Sequence, residues 1–283
     1  MPMSLPPALE LSLDLLRCPT CPTRHLHPDR GALRCPVGHS FDIARHGYAG
    51  LLTGTRATSG DDAAMVRARD RFLSTGAYAP IRTVGARLAA DAVSGQATVV
   101  DVGCGTGYYL AGVLDQLPCA RGLGLDTSVR ALRSAARAHE RAAAVAWDVF
   151  RPFPLADGVV DVVLDVFAPR NPAEFHRVLR PTGRLIVVRP TGRHLAELRG
   201  RLPAMVTVDP AKEQRLHRTL NPFFEPVVTE QVEYCATLPG LDAPDLVAMT
   251  PSARHVHRAD LNDDGLLPTQ VTVSVLATAY RPR

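Results

Sequence analysis

The chain has 283 residues, 46% hydrophobic and 21% charged, with a formal net charge of +4. This composition excludes a disordered chain and allows one large domain beside a small one. So small a charge excess does not by itself point to a nucleic acid. Lys212 is the sole lysine, however, and arginine, the better fork for phosphate, carries the other positive charges.

The first 17 residues, MPMSLPPALELSLDLLR, lack the basic start and small-residue cleavage site of a secretory signal. No apolar run approaches the roughly 20 residues of a membrane span. The expected location is the cytoplasm, with no membrane partner.

Residues 18–42, CPTCPTRHLHPDRGALRCPVGHSFD, carry three of the six cysteines. Clustered cysteines in a reducing compartment point to metal rather than to a disulfide framework. Cys18 and Cys21 form C-x2-C, and Cys35 and His39 follow in a second turn where Gly38 is free to take positive φ. Four such ligands suit tetrahedral zinc, closed by protein and structural. His25 and His27 compete for the fourth position; His39 is preferred because it directly follows Gly38. Pro28, Asp29 and Gly31 read as turn residues, with Ala32–Arg34 as the return strand of a hairpin. Two metal-binding turns at the ends of a hairpin make a zinc ribbon.

FDIARHGYAGLL supplies aromatic and aliphatic residues to cap the ribbon, and residues 53–62 read as a polar linker. A helix follows, with Asp61 or Asp62 as N-cap and Gly76 as stop. Arg67, Arg69 and Arg71 crowd it, as a solvated face or an RNA-facing one. PIRTVGARLAADAV is a second amphipathic helix.

Residues 98–102 are a β-branched run, hence a buried strand. Gly103, Gly105 and Gly107 then make G-x-G-x-G before a helix. Such a loop alone is weak evidence, since dinucleotide folds share it. Three acids narrow it. Asp101 at the strand end repels a pyrophosphate and suits a cationic sulfonium or ammonium. Asp126, closing a second strand in GLGLDTS, can hold both hydroxyls of a ribose. Asp148, closing a third in AVAWDVF, can accept from an adenine amino group. Cation, ribose and adenine in that order fit S-adenosylmethionine.

A fourth strand spans 158–169, a helix covers NPAEFHRVLRPTG and a fifth strand is RLIVVRP. EQVEYCATL and QVTVSVLATAYRP form an antiparallel edge, with LVAMTPSARHV as an inserted helix. The expected fold class is α/β: a Rossmann-like, doubly wound, mostly parallel seven-stranded sheet behind an N-terminal zinc ribbon. The expected organisation is a zinc-binding RNA-recognition module over 1–50, linker and helices over 51–95, and an S-adenosylmethionine-dependent methyltransferase domain over 96–283.

The segments CP-x-C, C-x-x-GH-x-FD-x-AR-x-GY, FLSTGAYAP, DVGCGTGYY, FAPRNPAE, RPTGRHLAEL and VAMTPSARH give the chain a family likeness. It resembles the bacterial 23S ribosomal RNA guanine-N1 methyltransferases, and DVFAPRNP is similar to the type giving tylosin and mycinamicin resistance. The likeness runs from Cys18 to about Arg281. It implies zinc at Cys18, Cys21, Cys35 and His39. It also implies S-adenosylmethionine contacts from Tyr78, Gly107, Tyr108 and His194, a hairpin of 23S rRNA as substrate, and a homodimer.

Methylation at guanine N1 displaces a proton, and Asp165 near the end of the fourth strand is the candidate base or else a buried structural acid. Arg170 and Asn171 are candidate donors to guanine O6. Phe167 reads as core, with stacking on the base as the alternative. Trp147 reads equally as core or as a neighbour of adenine. Cys104 reads as a small loop residue, and Cys119 and Cys235 as inert core thiols. Arg17, Arg24, Arg30 and Arg34 of the ribbon, with the Arg-rich helix, are expected to form a second wall for RNA. Competing readings are a small-molecule methyltransferase with an apolar lid, a nonenzymatic RNA-binding protein with a relict cofactor fold, and a nicotinamide oxidoreductase, which Asp101 disfavours.

Overall fold

The structure is a computed structural model that describes residues 5–21, 25–54, 60–206, 212–256 and 267–283. Arg24 and residues 55–59, half of the polar stretch 53–62, lie outside the described residues. A short helix α1 (Pro7–Glu10) leads into β1 (His27–Asp29), β2 (Ala32–Arg34) and β3 (Ser40–Asp42), which form a three-stranded antiparallel sheet. Pro28 and Asp29 therefore belong to a strand. The turn is made by Arg30 and Gly31, both left-handed at φ 48 and 84, the geometry that matches the twist of a tight hairpin.

Among the described residues the main sheet has eight strands. They are β4 (Ala49–Gly50), β5 (Ala97–Val102), β6 (Ala120–Asp126), β7 (Ala142–Ala146), β8 (Val160–Val166), β9 (Leu179–Pro190), β10 (Phe224–Thr237) and β11 (Gln270–Pro282). Their order is β10-β11-β9-β8-β5-β6-β7-β4. Pairs from β9 to β4 are parallel, and β11 is antiparallel to both β9 and β10. The expected parallel sheet with an antiparallel edge is present, with one strand more than expected. The extra strand is the two-residue β4, where the chain leaves the ribbon and pairs with β7. β9 also starts earlier than expected, so the stretch from Leu179 through the Pro-Thr-Gly segment is strand, not helix end.

The helices are α2 (Ala63–Ser74), α3 (Ala79–Ala90), α4 (Tyr108–Gln116), α5 (Val129–Ala135), α6 (Pro172–Val178), α7 (Ala196–Arg201), α8 (Lys212–Leu220) and α9 (Asp242–Ala248). A 3-10 turn, Pro251–Arg254, follows α9. Asp62 caps α2, its carboxylate accepting from the amides of Ala64 (2.7 Å) and Met65 (2.9 Å). A cap of this kind contributes about 1 kcal/mol.

Alternation along β5 divides the interior. Val99 joins the cluster of Phe72, Ile81, Leu110 and Val188, while Val100 and Val102 join Leu123, Val163 and Val187 on the other face. That second cluster also contains Leu16, Cys18, Leu33, Cys35 and Phe41. The ribbon and the main sheet thus share one core. Backbone hydrogen bonds reinforce the join: the Arg17 amide donates to Pro154 O (2.8 Å) and the Ala156 amide to Leu15 O (3.0 Å).

Candidate active site and metal centre

The C-terminal ends of β5, β6, β7 and β8 open into a cleft of about 390 Å³, within the usual range for small-molecule sites. The glycine loop after β5 forms its floor. Gly103 is left-handed at φ 69, and a Cβ there would lie 2.7 Å from the Ala168 Cβ. Gly107 opens α4 at φ 84, and a Cβ there would lie 2.8 Å from the Ala138 Cβ. Conformation and close packing each require glycine at both positions.

Around that floor the three strand-end acids converge. Asp101 is buried; the Leu110 amide donates to its carboxylate, and its Oδ2 has no hydrogen-bond partner among the described residues. Burial, then the charges of Asp126 and Asp165, push its carboxyl well above the usual range. A buried acid in that state is stabilised by a cation. Asp126 accepts from the amides of Gly105 (2.8 Å) and Ser128 (2.7 Å), which fixes its carboxylate at the cleft wall. Burial still raises its pKa against those two bonds. Asp148 follows β7 and lines the cleft, its Oδ1 accepting from the Phe150 amide at 3.0 Å.

An aromatic group closes the opposite side. Tyr78 is buried, and its hydroxyl lies 3.2 Å from His194 Nε2. The Ser274 amide donates to His194 Nδ1 at 3.2 Å, so the ring proton belongs on Nε2, pointing at Tyr78. Burial, with the nearby Arg199 charge, lowers the His194 pKa to about 4. Tyr108 also lines the cleft, with the Arg82 guanidinium 5.1 Å from its ring centre. Phe167 faces the cleft, 39% exposed, at φ 56. Positive φ in a bulky residue is a strained outlier that marks functional sites. The expectation that Phe167 is core is thereby corrected. β8 ends at Val166, and the backbone reversal turns the ring outward.

Arg170 Nε lies 3.1 Å from the Oδ1 of the fully buried Asp165. Arg170 lines the cleft and Asp165 lies behind it. Asn171 caps α6: its Oδ1 accepts from the Glu174 amide at 3.4 Å and its Nδ2 donates to Val149 O at 2.9 Å. One of its two amide hydrogens is therefore engaged in holding a loop. Trp147 is buried at the cleft wall, and Cys104 is buried in the glycine loop. Cys119 and Cys235 are both exposed rather than core thiols: Cys119 falls between α4 and β6, and Cys235 on the open side of β10.

In the ribbon, Cys18, Cys21, Cys35 and His39 bring their ligand atoms within 4.8 Å of one another. His39 Nδ1 lies 3.7, 3.6 and 3.3 Å from the sulfurs of Cys18, Cys21 and Cys35, and the sulfurs of Cys21 and Cys35 are 3.6 Å apart. A zinc ion at ordinary bond lengths sets tetrahedral ligand separations of roughly 3.6–3.8 Å. The four residues therefore fit structural zinc. Gly38 takes φ 99, and the Cys35 amide donates to His39 O (3.0 Å), which shapes the second turn.

Two family models match the chain: "Methyltransferase domain" over residues 99–183 and "RlmA, N-terminal" over residues 16–56. A Micromonospora griseorubida protein named "Putative 23S rRNA (guanine-N(1)-)-methyltransferase" is 46% identical, covering 95% of this chain and 98% of its own length. A Streptomyces fradiae protein named 23S rRNA (guanine(748)-N(1))-methyltransferase is 43% identical, covering 94% and 96%. The chain belongs to this guanine-N1 methyltransferase family. A solved "putative methyltransferase" from Bacillus halodurans C-125 shares the fold, with a TM-score of 0.50 at 17% identity over 70% of this chain and 97% of that one.

As a family member, the chain combines an S-adenosylmethionine-dependent methyltransferase fold with a zinc ribbon. Of the residues singled out in the sequence, the structure brings Tyr78, Asp101, Gly103, Gly105, Tyr108, Asp126, Asp148, Arg170 and His194 to one cleft. Gly107, Asp165 and Asn171 are not among its lining residues. Asp61 and Arg69 do line it, and residue types alone did not single them out for the site. Arg69 bonds Asp61 Oδ2 through Nε (2.9 Å) and Nη2 (2.7 Å), beside the glycine loop. Among the described residues, no helix is long and apolar enough to cross a membrane.

Proposed function

We propose that this chain transfers a methyl group from S-adenosylmethionine to N1 of a guanine in a hairpin of 23S ribosomal RNA, and so confers macrolide resistance in the cytoplasm. The observation that carries this reading is one cleft with the buried Asp101 on its floor, its Oδ2 without a partner among the described residues, and Phe167 turned into its mouth at positive φ. A buried carboxylate oxygen without a partner calls for a cation, and an outward-held aromatic ring calls for a flat base.

Bound S-adenosylmethionine supplies a methyl group on a positively charged sulfur. The residues of the chain align donor and acceptor and exclude water. Asp101 faces the cationic end, Asp126 the ribose hydroxyls and Asp148 the adenine amino group. Tyr78, Tyr108 and His194 border the donor, with neutral His194 adding no repelling charge. Phe167 stacks on the guanine, and Arg170 donates to its O6 while Asp165 holds the guanidinium in place. In this reading Asp165 positions Arg170 rather than acting as base; the N–C bond forms as the donor's S–C bond breaks, and the N1 proton passes to solvent at the open mouth of the cleft.

Guanine N1 lies on the pairing edge, so the target base must leave its pair before it is reached. Pairing of two chains, which would widen the RNA cleft, belongs to the same proposal, and light scattering of the purified protein tests it. The decisive experiment for the reaction is primer extension on 23S rRNA incubated with enzyme and donor. N1 methylation blocks base pairing, so one new stop should appear only when both are present. An RNA that stays free of new stops, while a small molecule takes the methyl group, would transfer the chain to the small-molecule reading.

A further inference from the structure

Four of the arginines that the sequence offered for RNA binding are committed elsewhere, whereas Arg30 and Arg67 are exposed and have no acidic partner among the described residues. Arg34 pairs with Asp29 at 3.0 Å, Arg69 with Asp61 at 2.7 Å and Arg71 with Asp245 at 2.6 Å. Arg17 donates to the carbonyls of Asp14 and Leu16, each at 2.9 Å. Much of the remaining surface follows the same pattern, with Arg82 paired to Asp115, Arg177 to Asp157 and Arg180 to Asp161.

One cluster departs from it as a group. Arg130, Arg133 and Arg137 are spaced three and four apart, along α5 and the turn that follows it, which puts them on one side. Arg45 belongs to the ribbon turn that precedes β4. All four are exposed, and none has an acidic partner among the described residues. The turn and the helix are in contact: a Cβ on Gly47 would lie 3.6 Å from the Ala136 Cβ. The charges of Arg133, Arg45 and Arg137 all reach His46, whose pKa falls through burial first and those charges next. α2 brings one acid to this helix, Asp70, which accepts from the Ser134 hydroxyl at 3.0 Å and forms an ion pair with none of the four arginines.

Four guanidiniums, none of them paired with an acid among the described residues, repel one another, and the fold gains little from them beyond the bond from Arg45 to His46 Nε2. A local excess of one sign, in a chain that pairs many of its other arginines with acids, is the footprint of a polyanion. Its position fits the site. Thr127 lines the cleft and Ser128 caps α5, so the row of charges starts within one turn of the donor pocket and runs about 10 Å away from it. It also crosses the join between ribbon and main sheet, which the shared core makes rigid.

We propose that this seam, carrying Arg45, Arg130, Arg133 and Arg137, is the surface that holds backbone phosphates of the RNA substrate and leads its strand to the cleft. The proposal rests on the methyltransferase reading given above and adds where the RNA lies. It places RNA at the junction of the ribbon with α5.

The test uses the full-length, zinc-loaded chain and a 23S rRNA transcript containing the target guanine. Binding is measured across a salt series for the wild type and for the triple variant Arg130→Gln, Arg133→Gln, Arg137→Gln. Every phosphate that no longer meets a guanidinium should flatten the slope of log affinity against log salt by about 0.7–0.9, so the triple variant should lose roughly two units. The KM for RNA should rise about tenfold or more at 0.15 M salt, with S-adenosylmethionine affinity unchanged. Arg281→Gln, at the far end of β11, should leave the slope as it was. Should the triple variant fail to fold, Arg133→Gln and Arg137→Gln singly decide the matter, each expected to remove somewhat less than one unit. An active wild type whose variants keep the same slope and KM overturns this surface alone. A wild type that neither binds nor methylates the RNA overturns the underlying reading as well, and shows it before any variant is made.

Discussion

Phe167 and His194 stack on one another, ring centres 5.8 Å apart and planes 28° from parallel. Phe167 follows β8 and His194 follows β9, so two adjacent parallel strands deliver a pair of flat rings to the same side of the cleft. Tyr78 adds a hydroxyl contact to His194 from the start of α3.

The ring of Phe167 is expected to serve the base rather than the donor. Replacing it with Ala should lower kcat/KM for RNA by roughly 10- to 100-fold, the ~1–3 kcal/mol of one stacked base. Donor affinity measured by calorimetry should change less than threefold, and Phe167→Trp should retain most activity. Stability provides a second reading. At φ 56, glycine is free where alanine is strained. Phe167→Gly should therefore be more stable than Phe167→Ala by ~1 kcal/mol, the reverse of the usual order. The usual order, found in urea unfolding, would mean the left-handed backbone is absent in solution.

Asp101 links donor binding to pH. In the cofactor-free chain its carboxyl is pushed well above the ordinary 3.8 by burial, then by Asp126 and Asp165. The folded state thus holds a proton that the unfolded chain releases, so this group costs stability as pH rises above 3.8. A cation in the cleft favours the ionised form, so donor binding should release a proton and strengthen as pH rises. Asp101→Asn keeps the shape without the charge. It should raise the melting temperature of the cofactor-free chain at neutral pH and weaken S-adenosylmethionine binding at least tenfold, ~1.4 kcal/mol. A variant that melts lower and binds normally would remove Asp101 from the donor site.

His194 should titrate far from its ordinary range. Its folded pKa is lowered to about 4 by burial and by Arg199, against 6.5 unfolded. Between those values the unfolded chain binds the extra proton, so stability is lost as pH falls from about 6.5 to about 4, by up to ~1.4 kcal/mol per pH unit. Unfolding free energies for wild type and His194→Gln, compared across that window, should converge as pH drops. Parallel curves would mean that the imidazole is solvated and charged.

The parallel sheet was legible because β5, β6, β7 and β8 are short apolar runs closed by acids, a pattern that needs no partner to be seen. β4 was not, since two residues carry no periodicity and pair only because the ribbon delivers them to β7. Phe167 continues the apolar run of β8, and no residue pattern reveals that the backbone reverses there. Tyr78 reads locally as one more buried aromatic, and only the family likeness drew attention to it. The arginines misled for a related reason. Whether Arg71 is free depends on Asp245, 174 positions away, and the sequence does not show that pairing. Cysteine spacing, by contrast, carried the metal cluster complete, because a C-x2-C turn brings its own geometry.

Removing zinc should affect the whole chain rather than the ribbon alone. Cys18 and Cys35 belong to the same buried cluster as Val100, Leu123 and Val145, so the metal holds part of the main core in place. Zinc supplies roughly 10–16 kcal/mol to isolated zinc-finger peptides, which is more than the margin by which most domains are stable. Cys21→Ser should release the metal and lower the melting temperature in a single transition that also abolishes donor binding. The expected zinc content is one per wild-type chain and none in the variant, read by a chromogenic chelator. Cys119→Ser, exposed and remote from the cluster, should keep both zinc and melting point. Two separate transitions after chelation, with donor affinity intact, would show that the ribbon and the sheet fold independently despite their common core.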